Sequence, residues 1–432
     1  MREVETVNTI LKFVPSINFN TTAVANQGVS VFETTIRYLG GLIASYDLLT
    51  GPFATLGVDP DLVHNLLTQA ESLAESLKVA FDTPSGVPEG TVYLNPTKHN
   101  GGSGLNNIAE IGTLVLEWTR LSDLTGNQEY AQLAQKGESY LIKPTGVLEA
   151  FPGLIGTWVS TRNGSFLDNS GSWNGGDDSF YEYLIKMYLY NPEVFATYKD
   201  RWVLAADSTM AHLASHPTTR QDLTFLAQFS GQQISPNSGH LASFAGGNFI
   251  LGGALLGVQE YIDFGLTLSE SYFETYIQTA SGIGPEGFRW ADDALPDSAN
   301  NTLPTPENVA FYEQAGFWST SAAYILRPET MESLWYSWRV TGDRKYREMA
   351  WEGFLAINRT TRTGSGYSSI FDVTQADGGG FYDSMESFWF AETLKYMYLI
   401  FGEQDSPVQF QGGAPNSFVF NTEAQPMRVL KS

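Results

Sequence analysis

Six stretches of this chain each place an acid or a histidine where an apolar, often aromatic helix begins. They read "VFETTIRYLGG", "NNIAEIGTLVLEW", "GGDDSFYEYLIKMY", "SGHLASFAGGNFIL", "RPETMESLWYSW" and "DSMESFWFAETLKYMY". They recur roughly 60 to 90 residues apart, about the span of one long helical hairpin with an elaborate loop. The economical arrangement is a ring of paired helices whose inner members turn their acid-bearing ends to a common cavity. In the fifth stretch Glu329 and Glu332 lead into Leu334, Trp335, Tyr336 and Trp338. Burying carboxylates beside that much aromatic surface is costly unless chemistry requires them. The bland alternative is a stack of helical repeats with acids on solvated first turns, where the helix dipole favours them. Aromatics beside nearly every acid argue against it.

Periodicity predicts helices over 31–49, 61–81, 106–125, 178–190, 194–214, 246–262, 329–341, 344–358 and 384–401. Small residues (Gly40, Gly41, Gly112, Gly246, Gly247) are expected to let helix backbones approach closely. Long Gly/Pro-rich connectors such as "FDTPSGVPEGTVYLNPTKHNGGSGLN" mark working loops. No linker-like tract divides the chain, so a single domain over 1–432 is expected.

The chain holds 16% charged residues yet a net charge of -23, which argues against nucleic acid or an anionic membrane as a partner. It has no cysteine, which removes thiolate metal sites and cysteine nucleophiles. No apolar run reaches membrane-spanning length, and no basic-then-apolar leader opens the chain. Sequons at Asn20, Asn163, Asn300 and Asn358 lean toward a secretory route, lumenal or secreted, with the targeting segment absent from this chain. No clustered histidines, G-x-S-x-G or P-loop pattern occurs. Paired carboxylates walled by Trp, Tyr and Phe suit sugars: aromatic faces pack on pyranose C–H faces and acids bind hydroxyls. Two acids flanking a glycosidic bond can protonate the leaving oxygen and activate water. Glycoside hydrolysis is the natural reading; composition leaves the sugar open.

With those motifs in order along nearly the whole chain, the sequence resembles the class I α-1,2-mannosidases, glycoside hydrolase family 47. The fungal secreted branch is closest through "WNGGDDSFYEYLIKMY". The resemblance implies an all-α, (α/α)7 barrel and one Ca2+. It also implies inverting hydrolysis of terminal α-1,2-linked mannose from high-mannose N-glycans. It matches Glu33 to the acid that protonates the leaving oxygen, through water. Asp178 and Glu329 match the other catalytic acids, with Glu329 favoured as general base and Asp178 as runner-up. Arg37, Glu110, His240, Glu286, Glu332 and Glu386 match positions lining the pocket. Thr422, in "FNTEAQP", matches the Ca2+ ligand through its hydroxyl and carbonyl, both hard oxygens.

Four departures stand beside the resemblance. A "DSLDTLW"-like stretch that the family carries earlier is not found, so the barrel is expected to lack its first N-terminal helix. The family's disulfide is lost at both ends, at Ser243 and Tyr272. Gly176 stands where endoplasmic-reticulum members carry a bulky arginine, which predicts trimming of several glycan branches. Gln425 replaces the usual histidine beside the calcium motif. A non-catalytic binder of high-mannose glycans, like the family's quality-control relatives, is the alternative. Retained Glu33, Asp178 and Glu329 argue against it and the missing helix argues for it. A barrel glycosidase acting on other sugars is a third reading, opposed by the Thr422 motif.

Overall fold

The computed structural model describes residues 3–146, 149–296 and 298–430. Its helices are α1 (Val4–Phe13), α2 (Val31–Thr34), α3 (Gly40–Thr50), α4 (Pro60–Leu77), α5 (Ile108–Gly112), α6 (Val115–Thr125) and α7 (Glu129–Ile142). They continue as α8 (Asp178–Tyr190), α9 (Ala196–Ser208), α10 (Ala245–Leu256), α11 (Gln259–Gln278) and α12 (Val309–Ala315). The last three are α13 (Glu329–Thr341), α14 (Arg344–Thr361) and α15 (Leu394–Phe401).

Each acid-bearing stretch begins an inner stave, as the repeat predicts. Round the ring, α2–α3 packs on α5–α6, then α8, α10, α13 and finally α15. Outside them α4 packs on α3, α7 on α6, α9 on α8, α11 on α10 and α14 on α13. The result is a helical barrel with six inner staves among the described residues, one short of the seven pairs that the resemblance implies. Exposed aromatic side chains stand on the first and last staves: Tyr38 before α3, Phe390 in the turn before α15 and Tyr398 on α15.

Local chemistry sets where the staves start. Ser30 caps α2 by accepting the Glu33 amide at 3.2 Å, and Asn107 caps α5 by accepting the Glu110 amide at 2.9 Å. Both caps put a glutamate in the first turn, where the helix dipole offsets part of its burial cost. Pro328 precedes α13, and the helix begins at Glu329. Trp335 then lies fully buried against Tyr336, Tyr396 and Phe420.

Close approach accounts for four of the five glycines. A Cβ on Gly40 would stand 2.6 Å from Asn421 Nδ2, one on Gly112 2.7 Å from Phe180, one on Gly246 2.4 Å from Ser269 and one on Gly247 2.6 Å from Tyr336. Gly41 has nothing within 4 Å of that position, so its expected packing role is corrected. The helix expected over 246–262 breaks at Gly257, whose φ of 68° ends α10 before α11 begins. The helix expected over 384–401 starts only at Trp389. Helices α7 and α11 escape the periodicity reading, although α11 buries Tyr261, Gly265, Leu268, Tyr272 and Tyr276 at helical spacing.

Irregular β structure forms the rim. Strands β1 (Asn237–Gly239), β2 (Gly287–Arg289) and β3 (Trp318–Ser321) make an antiparallel sheet in that order. A terminal hairpin, β4 (Phe418–Phe420) and β5 (Pro426–Arg428), lies against the inner helices α3 and α8. Asp47 of α3 ties that hairpin to the staves. It accepts Arg120 Nη2 at 2.6 Å, Arg120 Nε at 3.0 Å and the Arg428 amide at 2.9 Å, while only 1% exposed. Among the described residues no helix is long and apolar enough to cross a membrane.

Removing one partner of such a pair strands a buried charge, at a cost of about 3–5 kcal/mol. Asp47→Ala is therefore expected to lower the free energy of unfolding in urea by a matching amount. A loss below about 1 kcal/mol, the scale of an exposed pair, would remove the ion pair from this role.

Candidate active site

The inner helix N-termini converge on a cavity of about 300 Å³. Of the ten residues singled out in the sequence, Glu33, Arg37, Glu110, Asp178, Glu329, Glu332 and Thr422 line it. His240 and Glu286 act one contact away. His240 Nδ1 lies 2.8 Å from Glu329 Oε2, and Glu286 receives Arg327 Nε at 2.8 Å on both oxygens. Glu386 is outside the lining; it precedes the last stave, and Ser384 Oγ donates to it at 3.3 Å. Phe388 and Glu392 take that part of the wall instead.

Other lining residues went unread in the sequence: Glu182, Arg327 and Glu423 among them. Glu182 is one helical turn after Asp178, and Arg327 and Glu423 adjoin motif residues already singled out, so spacing alone was an available signal. Glu392 and Arg37 carry a subtler one. Each sits in a π-helical turn, Trp389–Thr393 and Thr35–Leu39. Such turns add a residue to the helix and recur at functional sites.

Electrostatics divides the carboxylates. Burial pushes Glu329 up, but the His240 hydrogen bond and the Arg327 charge, with Nη1 3.7 Å away, outweigh it. The Glu329 carboxyl is thus held below the usual range and is ionised at neutral pH. An ionised oxygen opposite Nδ1 makes that nitrogen the donor, and Nε2 lies 2.6 Å from the Tyr276 hydroxyl. Asp178 is the opposite case. Burial, with the charges of Asp177, Glu182 and Glu329 nearby, pushes it up to about 8 despite the Ser179 amide. Burial likewise raises Glu332 to about 8, although Lys186 lies 3.8 Å away and opposes the shift. Lys186 is itself fully enclosed and bonds Glu182.

On the far wall Arg37 grips three groups at once. Its Nε donates to Glu33 at 2.7 Å, while its Nη1 reaches Ser387 Oγ at 2.6 Å and Glu423 at 3.2 Å. The Glu33 side chain remains half exposed, open to a ligand or to water.

One carboxylate kept ionised and others kept protonated at neutral pH, round a hollow of sugar size, define an acid–base catalyst of glycoside hydrolase type. Similarity agrees with the geometry. The family described as glycosyl hydrolase family 47 matches residues 1–429, and the chain belongs to it. It is 52% identical over 437 residues to the probable mannosyl-oligosaccharide alpha-1,2-mannosidase 1B of Aspergillus clavatus, covering 100% of this chain and 83% of that one. It is 51% identical over 434 residues to the mannosyl-oligosaccharide alpha-1,2-mannosidase of Penicillium citrinum, covering 100% and 82%. Among solved structures, the alpha-1,2-mannosidase from Trichoderma reesei superposes with a TM-score of 0.97 at 65% identity, covering 99% of this chain and 87% of that one.

The pairing with His240 makes a testable prediction. The ionised form of Glu329 is present above its pKa and is lost as pH falls through it, so an activity that depends on that form is lost over the same range. His240→Ala removes a group that lowers this pKa; the acid limb of the kcat/KM profile for glycoside release should move to higher pH. An unmoved acid limb, with the basic limb intact, would show that His240 does not set the charge on Glu329.

Proposed function

We propose that this chain hydrolyses terminal α-1,2-linked mannose from high-mannose N-glycans with inversion, aided by Ca2+. The observation that carries the reading is the split between an ionised Glu329 and a half-exposed Glu33 across one cavity. In inversion, one carboxylate activates water on the face of the sugar opposite the leaving oxygen, and an acid protonates that oxygen. Glu329 is the general base, oriented by His240 and Arg327. Glu33 supplies the proton to the leaving oxygen through a water, with Arg37 holding its carboxylate in place. Asp178, kept protonated by burial, acts as a hydrogen-bond donor to substrate; as runner-up for the base it would first have to lose that proton. Phe388 offers an apolar face for the sugar.

The donor set fits a calcium ion. Thr422 reaches the cavity floor from the tip of the terminal hairpin, beside Glu392 and Glu423. Burial and the neighbouring Glu423 charge push Glu392 well above the usual range, and burial raises Glu423 despite Arg37. That crowding of acids is what a divalent cation would offset. Among the described residues no group of three His, Cys, Asp or Glu forms a ready-made metal cage. A site made by Thr422 oxygens leaves the remaining positions to water and substrate hydroxyls, as Ca2+ accepts. Bound there, the ion would supply positive charge and help orient the sugar ring.

Gly175 and Gly176 form part of the rim, and Gly176 has φ 94° with Thr157 Cγ2 3.5 Å from a built Cβ. That backbone disfavours any larger residue, which keeps the entrance wide and supports trimming of more than one branch. The acid-bearing ends of the chain's helices, and the secretory sequons, suit a lumenal or secreted glycan-processing enzyme. Of those sequons Asn20, Asn163 and Asn300 are exposed, while Asn358 accepts a hydrogen bond from Tyr367.

Two experiments test this. Glu33→Gln should lower kcat for mannose release by about 10²–10⁴-fold while high-mannose glycan binding persists; near-normal turnover would take Glu33 out of the acid role, and binding without release by the unmodified protein would favour the binder reading. A calcium chelator should stop release, added Ca2+ should restore it, and Thr422→Ala should weaken calorimetric Ca2+ affinity. Unchanged affinity in Thr422→Ala would move the ion elsewhere.

A further inference from the structure

Thr422 sits in a turn that its own neighbours shape but do not place. Asn421 Oδ1 accepts the amides of Glu423 at 3.0 Å and Gln425 at 2.7 Å, and Ala424 takes a φ of 55°. The turn is therefore a folded unit on one asparagine. Its depth in the barrel depends on what grips it from the staves.

The grip comes from below the cavity. Glu117 of α6 is 0% exposed and lines no part of the hollow. Its Oε1 accepts the Tyr183 hydroxyl at 2.7 Å and Asn421 Nδ2 at 2.7 Å. The same Tyr183 oxygen accepts the Thr422 amide at 3.2 Å. These bonds close a ring through α6, α8 and two successive residues of the turn. Asn421 Nδ2 also donates to Ile36 O at 3.0 Å, a contact for which Gly40 leaves the space. A fully buried carboxyl group is expensive, and its second oxygen has no hydrogen-bond partner. Neither Glu117 nor Tyr183 has a part in the proton transfers described above.

We propose that Glu117 and Tyr183 are positioning residues for Thr422, fixing the depth at which its hydroxyl and carbonyl oxygens face the cavity. The inference rests on the calcium reading of Thr422. One residue acts on the hydroxyl network and the other on the turn, so the oxygens are set before any ion arrives. Supporting groups of this kind typically change metal affinity by about 10–100-fold when removed.

The test is Ca2+ titration calorimetry on the full chain, beside the thermal midpoint in chelator. Tyr183→Phe keeps the ring and deletes the hydroxyl; Glu117→Leu deletes the acceptor; Glu117→Gln retains an acceptor oxygen. Thr35→Val is the control, because it removes the buried Trp118–Thr35 hydrogen bond of the same layer without touching the turn. Tyr183→Phe and Glu117→Leu are expected to weaken Ca2+ about tenfold or more, Glu117→Gln to restore most of it, and Thr35→Val to leave it unchanged while lowering the midpoint. Equal Ca2+ affinity in the unmodified protein and in Tyr183→Phe overturns the proposal and leaves the calcium reading standing. An unmodified protein that binds no Ca2+ overturns both. If Tyr183→Phe does not fold, Glu117→Leu, which frees the turn from α6 while leaving Asn421 Oδ1 on its two amides, is judged by the same affinity criterion.

Discussion

The cost of a buried carboxylate organises this molecule. Most inner staves open on an acid, α10 on a histidine, and each acid that water no longer covers needs a specific neighbour to hold its charge or its proton. Glu329 and Asp178 show the two outcomes within one cavity. Both are screened from solvent by the same walls, yet Glu329 has His240 and Arg327 beside it, whereas Asp178 faces other acids. A single difference in partners keeps one ionised and the other protonated at neutral pH. Caps contribute as well: Ser30 and Asn107 start helices so that Glu33 and Glu110 meet a positive helix end.

The hairpin near the end of the chain joins this electrostatics to the fold. It binds α3 through Asp47, α6 through Glu117, α8 through Tyr183 and the last stave through Lys395, whose ammonium donates to Ala424 O at 2.7 Å. Residues far apart in sequence thereby share one floor. Gln425, where the family resemblance implies a histidine, receives the same Lys395 at 3.3 Å. The substituted side chain has a partner, and the turn keeps its shape.

Much of this was legible in sequence because helical repeats announce themselves. The acid-then-aromatic stretches gave the six staves, and α8 and α13 begin and end where periodicity places them. Six of the seven site residues that line the cavity do so for the same reason, sitting near helix starts, while Thr422 comes from the hairpin turn. What periodicity misses has physical causes. A left-handed glycine splits α10 from α11 without interrupting the apolar pattern. A π-helical turn over Trp389–Thr393 carries Glu392 on the cavity wall, while Glu386, the acid that the motif suggests, lies in the loop before it and outside the lining. His240 and Glu286 act through Glu329 and Arg327, and contacts between distant segments leave no local mark.

The missing disulfide shows how packing and chemistry share the same residues. Ser243 donates to His240 O at 2.6 Å and accepts Thr330 Oγ1 at 2.9 Å. Tyr272 bonds Ser238 Oγ at 2.7 Å and accepts the Leu226 amide at 3.3 Å. A disulfide contributes about 2–4 kcal/mol, and a net hydrogen bond about 0.5–1.5 kcal/mol. Four such bonds together are of comparable size to the link that the family resemblance implies at Ser243 and Tyr272. Their placement also matters. Two of them brace the turn that carries His240 and the helix that carries Glu329, whose contact helps hold the Glu329 carboxyl ionised. At this point in the barrel, stability and catalysis draw on the same few contacts.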